Sequence, residues 1–229
     1  MHRVIGFALI AILTFLTGCV SAPQAPVSLS GERMAPGTRI GIVMAPLPKV
    51  DTYQIGADCL LCLATVAVAN STLTAYVTKL PAENIPQLKN DLGQLLEKKG
   101  MVVTLIDENV DISKLPKYNG KAVNTAPKSF SALAQKYNVD KLLVIEIDML
   151  GTFRTYSGYV PTSEPKGVFR GKGYIVNVAD NTYDWYEPLD ILKSSSESWD
   201  EPPQFPGLTN AYYQALETGR DSLLKPFMN

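Results

Sequence analysis

The chain has 229 residues, of which 46% are hydrophobic, and its 21 basic side chains nearly balance 22 acidic ones. This length supports one domain with a substantial core, and the lack of a basic stretch argues against a nucleic-acid partner. The single histidine is His2, inside an N-terminal segment that we expect to be removed. Without an imidazole, the usual nucleophile pairs and His-ligated metal sites are excluded, and only carboxylate or lysine chemistry stays open. We predict a protein that is not an enzyme and holds no cofactor or metal.

The N-terminal residues 1–18 have the pattern of an export signal. Arg3 supplies a short positive end, and the apolar run 4–16 is too short to span a bilayer as a helix. The sequence Leu-Thr-Gly-Cys at 16–19 resembles the lipobox of bacterial lipoproteins. That resemblance implies cleavage before Cys19, a diacylglycerol on its sulfur and an acylated amine. The alternative is an ordinary signal peptide with an incidental cysteine.

Three acyl chains on Cys19, palmitate among them, would hold the protein lastingly on a membrane. Val20 follows the cysteine where lipoproteins retained in the inner membrane commonly carry Asp. We therefore predict a lipid-anchored protein of the outer membrane that faces the periplasm. Residues 19–37 are rich in Pro, Ser and Ala without an apolar period, which predicts a flexible tether ahead of a periplasmic domain at 38–229.

The first half of this domain predicts a strand, a helix and a second strand. The β-branched, apolar stretch 39–44 predicts the first strand. Leucines at helical spacing predict a helix over 85–97, and Gly100 stands where a left-handed C-terminal cap belongs. Residues 101–106 predict the second strand.

The middle of the chain predicts a loop, a short helix and a central strand. Residues 107–127 are polar and contain several turn residues. A short helix is expected to begin at Ser129 and to end at Asn138. The largely apolar stretch 141–149 predicts a strand buried on both faces.

The C-terminal part has the pattern of an antiparallel sheet followed by a helix. An extended run is expected at 152–159, and residues 171–178 and 183–192 predict two strands joined by a turn at 180–181. A last helix is predicted between Thr209 and Pro226. The whole pattern predicts a single α/β domain of the α+β mixed-sheet type, with helices packed on a mixed sheet and a C-terminal antiparallel hairpin.

Three segments carry a resemblance to a known group of periplasmic proteins. They are RIGIVMAP at 39–46, SFSALAQKYNVDKLLVIEIDM at 129–149 and GKGYIVNVADNTYDWYEPL at 171–189. They resemble a strand, a helix-strand unit and a hairpin of the family that includes the TolB N-terminal domain, the lipoprotein activators of penicillin-binding proteins and the curli secretion lipoprotein. The resemblance implies an α/β domain that serves export or assembly. The chain departs from this pattern in an apolar insertion at about 53–80.

Cys59 and Cys62 form the arrangement that most suggests catalysis. A C-x-x-C at a helix start can lower a thiol pKa and support disulfide exchange. The pair, however, stands about fourteen residues after the first predicted strand and encloses two leucines. We predict a short-loop disulfide in the oxidising periplasm, with two buried free thiols and a thiol-disulfide enzyme as alternatives.

The stretch 59–78 has twenty residues without charge, Gly or Pro, which is the nominal length of a membrane helix. Its second half is rich in Thr, Ser and Asn, so we expect a core or surface-docked helix. A face for a partner and an element that touches a membrane are the alternatives.

Aromatic residues concentrate in the C-terminal half, where amphipathic rings suit interfaces. The candidates for contact with a partner are Tyr156, Tyr159, Trp185 and Trp199.

Together these features predict a non-catalytic outer-membrane lipoprotein that acts as an accessory or scaffold for a cell-envelope assembly through a protein partner. The alternative is a subunit of an oligomeric secretion or export channel, and the third hypothesis is a thiol-disulfide oxidoreductase. Homo-oligomerisation is left open by the sequence.

Overall fold

A computed structural model describes residues 23–120 and 122–228, so the predicted signal and Cys19 lie outside the described residues. The described chain forms a single α+β domain around one mixed sheet, which confirms the predicted fold class. The strands are β1 (Arg39–Met44), β2 (Asp51–Ile55), β3 (Val102–Ile106), β4 (Lys141–Ser157), β5 (Val160–Pro161), β6 (Lys166–Asn177) and β7 (Thr182–Ser194). The helices are α1 (Leu60–Ala69), α2 (Ser71–Val77), α3 (Leu88–Lys98), α4 (Ser131–Tyr137) and α5 (Pro206–Leu224).

The sheet combines a parallel half with an antiparallel half. Its order is β3-β1-β4-β6-β7, with β1 parallel to both neighbours and β6 and β7 antiparallel. Strand β2 pairs in parallel with the later part of β4, from Asp51 opposite Gly151 to Ile55 opposite Thr155. Along the direction of β4, the sheet therefore continues past the end of β1. Its far end is formed by β2, β5 and the later part of β4.

Each face of the sheet is covered by its own apolar layer. Helices α3 and α5 cover one face, because α3 buries the stripe Leu88, Leu92 and Leu96 and α5 buries residues at helical spacing such as Tyr212 and Leu216. Helix α4 and the connection at 107–130 cover the other face. The helical stripes predicted from the sequence are thus the buried ones.

A β-bulge in β4 sets which side chains of its later half face α5. The register shifts between Ile147 and Met149, so Asp148 is the extra residue. Beyond it Leu150 lies in the same core layer as Ile147. By alternation, Arg154 and Tyr156 project from that face as well.

Several predicted boundaries agree with the structure, and others differ. Asn138 and Gly100 adopt left-handed conformations, with φ of 52° and 80°, where the caps of α4 and α3 were predicted. The predicted strand at 141–149 continues through 157, and β2 was not predicted, because its sequence is short, polar and half-exposed. The region predicted as an apolar insertion therefore begins inside a strand.

The described part of the predicted tether lies against the domain from Val27 onward. The backbone N–H of Val27 donates to Tyr186 O at 2.8 Å, and Tyr186 N–H donates back at 2.9 Å. Met34 is buried, and Arg33 pairs with the buried carboxylate of Asp184. Residues from Val27 on are consequently attached to β7 and the core.

Candidate docking site

Helix α1 is apolar around its circumference but is packed along one line only. Cys59 precedes it as the N-cap, its Sγ accepting the backbone N–H of Cys62 at 3.0 Å. Of the ten residues of α1, Cys62 and Val66 are buried and the others are exposed. A helix that is hydrophobic all round is normally enclosed by its own protein, so α1 presents an uncovered surface.

Other exposed apolar side chains surround α1 at the same end of the sheet. The β4–β5 turn reaches this helix, since a Cβ at Gly158 would lie 3.6 Å from Cys62 Sγ. We call this surface the apolar end, and it comprises Ile55, Leu60, Leu61, Leu63, Val68, Tyr159 and Val160. Exposed apolar patches of this extent are uncommon on soluble monomers and mark surfaces of interaction.

Cys59 and Cys62 are joined by a disulfide, as the sequence predicts, with their Cα atoms 4.9 Å apart. The bond closes the first turn of α1, immediately beneath the exposed Leu60 and Leu61. It therefore shapes the beginning of the exposed helix.

The stretch 59–78 forms two helices, not one, because the chain bends by 71° between α1 and α2. Asn70 stands at the bend, and its side-chain amide donates to Val66 O at 2.7 Å and to Tyr156 Oη at 3.0 Å. Within the described chain no single helix is long and apolar enough to cross a membrane. Helices α1 and α2 taken together have that length and apolar composition. Helix α1, the first half of the stretch 59–78, is therefore docked on the surface of the domain.

A cavity of about 320 Å³ opens beside α1, and we call it the Arg154 cavity. Its walls come from three distant parts of the chain: α1 and α2, the end of β4 with β5, and the segment 199–205. Most of the wall is apolar, including Val66, Leu73 and Phe205. Three of the four predicted aromatic candidates line it, namely Tyr156, Tyr159 and Trp199.

Trp185, the fourth candidate, lies elsewhere. Its ring is 2% exposed in the core and meets Phe227 edge-on, with ring centroids 5.1 Å apart. This packing leaves Trp185 no surface to offer a partner. Tyr156 is also mostly buried, and its hydroxyl is occupied by Asn70, so Tyr159 and Trp199 provide the accessible rings.

Arg154 is the residue of this site that the sequence analysis did not identify. Its Nε–H donates to Ser163 O at 2.8 Å. Its guanidinium lies 4.8 Å from the ring centroid of Trp199 and 5.7 Å from that of Tyr156. A signal was available, since Arg154 and Tyr156 are two residues apart in an extended segment and thus share a face.

A second cavity, of about 660 Å³, lies on the opposite face of the sheet and contains the tyrosines Tyr174, Tyr183 and Tyr186. The Tyr174 hydroxyl donates to Glu146 Oε1 at 2.7 Å. Burial raises the pKa of Tyr174 and of Tyr183 well above the ordinary value, so both phenols keep their protons. The raised pKa values of these phenols disfavour the phenolate, the form that acts as a nucleophile or base. Among the described residues, no cluster of His, Cys, Asp and Glu is suited to a metal ion.

Comparison with known proteins leaves the family unassigned. No sequence profile of a known family and no curated protein matches the chain. Solved structures to which the chain is similar include the PelC dodecamer from Paraburkholderia phytofirmans, at 11% identity and a TM-score of 0.36, with 89% of this chain and 94% of that chain covered. Another is Lipoprotein GNA1162 from Neisseria meningitidis, at 15% identity and a TM-score of 0.27, with 79% and 99% covered.

A third related structure is a protein from Xanthomonas campestris, at 11% identity and a TM-score of 0.38, with coverage of 89% and 91%. These similarities are too low to carry function over to this chain. The resemblance to the TolB and curli group stays a prediction.

Proposed function

We propose that this chain is a lipoprotein, anchored in the outer membrane through Cys19 and facing the periplasm, that acts without catalysis as an accessory or scaffold of a cell-envelope assembly. In this proposal a protein partner docks on the apolar end. The observation that carries it is the exposure of α1, a ten-residue helix of which only Cys62 and Val66 are buried. Covering such a surface removes apolar area from water and favours association by about 25 cal/mol per Å² before the costs of binding are subtracted.

A protein partner fits this surface better than an anionic lipid headgroup layer does. Helices that lie on membranes usually carry Lys or Arg on their polar side, and no basic residue occurs between Asp51 and Lys79. Asp58, next to the exposed leucines, would be repelled by anionic lipid.

Site-specific photo-cross-linking in the cell envelope tests the docking surface. A benzoylphenylalanine at Leu61, which is 75% exposed, is expected to give an adduct with a second protein. The matched control is the same probe at Val123, which is 84% exposed and belongs to the connection at 107–130 that covers the opposite face of the sheet; no adduct is expected there. Adducts with lipid alone would contradict the proposal, and adducts only between copies of this chain would favour the channel alternative.

The anchor has its own test. Cys19→Ser is expected to abolish incorporation of labelled fatty acid and to release the protein from outer-membrane fractions. A variant that still carries label and stays with the outer membrane would overturn the lipoprotein assignment.

A further inference from the structure

We propose that the Arg154 cavity binds the C-terminal residue of a partner polypeptide, with its α-carboxylate on Arg154 and its apolar side chain against the cavity wall. This inference rests on the proposed docking function and names the chemistry of the partner. Arg154 is held firmly in place and, among the described residues, pairs with no acidic side chain.

Two kinds of contact fix the Arg154 guanidinium in place. Its Nε–H is bound to the carbonyl of Ser163, whose Oγ in turn accepts the backbone N–H of Thr155 at 3.1 Å. The rings of Trp199 and Tyr156 lie within cation–π distance of the guanidinium carbon. The guanidinium of Arg154 is therefore oriented before any ligand arrives, which lowers the entropy lost on binding.

The terminal nitrogens of Arg154 keep their hydrogen-bonding capacity. Within the described residues, its Nη1 and Nη2 donate to no acceptor, and Arg154 forms no salt bridge. Asp200 lines the same cavity, but its carboxylate accepts the hydroxyl of Ser198 at 2.8 Å and does not pair with Arg154. Planar, bidentate donors of this type match a carboxylate.

The surroundings of Arg154 select which carboxylate fits. The walls beside it are apolar, and about 320 Å³ can hold a carboxylate together with a side chain of leucine or phenylalanine size. In a C-terminal residue both groups branch from one Cα atom and enter the cavity together. An internal Asp or Glu places its carboxylate at the tip of its own side chain, so an apolar group would have to come from a neighbouring residue that points elsewhere.

The cavity is also continuous with the proposed docking surface. Thr65, Val66 and Ala69 of α1 line it, and Tyr159 belongs both to the cavity and to the apolar end. A partner chain that covers α1 can therefore place its terminus at Arg154.

Calorimetric titration of the full-length, lipidated protein in detergent tests the site with defined probes. The probe is acetyl-Ala-Ala-Leu with a free carboxylate, and the comparison probes are its C-terminal amide and acetyl-Ala-Asp-Leu amide. We expect the free acid to bind at least about tenfold more tightly than either amide, because a hydrogen bond to a charged group is lost in the first and misplaced in the second. NMR of the two tryptophan indoles should show a shift for Trp199 and none for Trp185.

Variants separate the guanidinium from general effects on the fold. Arg154→Lys keeps the positive charge but loses the planar, bidentate guanidinium, and it should weaken binding of the free acid about tenfold. Arg154→Gln should abolish the preference for the free acid over the amide. Asp200→Asn should tighten binding by removing a like charge. Arg170→Gln is the matched control, since Arg170 also lies over a ring, that of Phe153, but is paired with Asp190.

Equal binding of acid and amide by the wild-type protein, or no shift of Trp199, would overturn the inference. Tighter binding of the internal aspartate probe would assign the cavity to acidic side chains and contradict the choice of a C-terminus. None of these readouts depends on the cellular partner. Failure of the cross-linking at Leu61 with a positive titration would reject the proposed partner surface and leave the carboxylate site standing.

Discussion

The side-chain amide of Asn70 donates a hydrogen bond to the hydroxyl of Tyr156 at 3.0 Å, across the buried junction between the α1–α2 bend and the end of β4. Both residues are buried, each with 8% of its surface exposed. This contact, with the bond from the same amide to Val66 O, links the exposed helix to the sheet. Because this hydrogen bond lies in an apolar environment, a donor or acceptor left without a partner there would lower the stability of the fold.

We expect Asn70→Ala and Tyr156→Phe each to lower the free energy of unfolding by about 1–3 kcal/mol, because each leaves a buried partner without its hydrogen bond. The double variant should be less destabilised than the sum of the two. Urea unfolding of the four proteins measures this coupling. Thr65→Ala serves as a control, since Thr65 is exposed and its hydroxyl donates to Leu61 O within its own helix. Strict additivity would show that the bond contributes nothing.

The carboxylate of Asp184 is 4% exposed and joins the N-terminal segment to the sheet. It accepts from Lys141 Nζ, and Arg33 Nη1 lies 3.4 Å from its other oxygen. Asp184→Ala should cost about 3–5 kcal/mol, because it leaves the largely buried ammonium of Lys141 without its carboxylate partner. Asp190→Ala, which breaks the more exposed pair with Arg170, should cost less than about 1 kcal/mol. Similar losses for the two variants would contradict this ranking.

Close contact between α5 and β6 depends on Gly219. A Cβ at this position would lie 2.5 Å from the ring of Phe169, which is buried beneath the helix. Gly219→Ala should therefore destabilise the protein by about 1–3 kcal/mol, as overpacking does. Gly31→Ala, where no atom lies within 4 Å of the new Cβ, should leave the thermal midpoint nearly unchanged. Equal midpoints for both variants would show that α5 can move aside.

Three carboxylates with lowered pKa values predict a loss of stability in acid. The hydroxyl of Ser113 and the ammonium of Lys114 lower the pKa of Asp111 to about 2. Lys136 lowers the pKa of Glu108, and Arg39 lowers that of Asp140.

Because these folded-state pKa values lie below the unfolded values near 4, the stabilisation is present above about pH 4 and is lost as the pH falls toward 2. Urea midpoints measured across this range should decline, and Asp111→Asn should make the decline shallower. An unchanged slope in that variant would remove Asp111 from the explanation.

The disulfide predicts resistance to alkylation with little effect on global stability. Alkylating reagent added to unreduced protein should spare Cys59 and Cys62. Replacing both by serine should leave the fold and the function intact and cost at most about 2 kcal/mol, because the closed loop is short. Loss of function with an unchanged circular dichroism spectrum would instead support the thiol-disulfide hypothesis.

Elements whose signal is local could be predicted from the sequence alone. The leucine spacing of α3, the apolar density of β1 and β4 and the cap at Asn138 each lie within a few residues, so periodicity and turn chemistry locate them. The disulfide belongs to the same class, since its partners are three residues apart.

Which aromatic rings are accessible could not be predicted from the sequence, because it depends on contacts between distant segments. Trp185 and Trp199 have similar neighbourhoods in sequence, but the first is enclosed by Phe227 from the chain's far end and the second stands beside Arg154. The side on which Arg154 projects depends on the bulge at Asp148, which shifts the alternation of a strand by one residue. The Arg154 cavity joins segments more than a hundred residues apart, and no local pattern can record a contact that exists only after the sheet has brought them together.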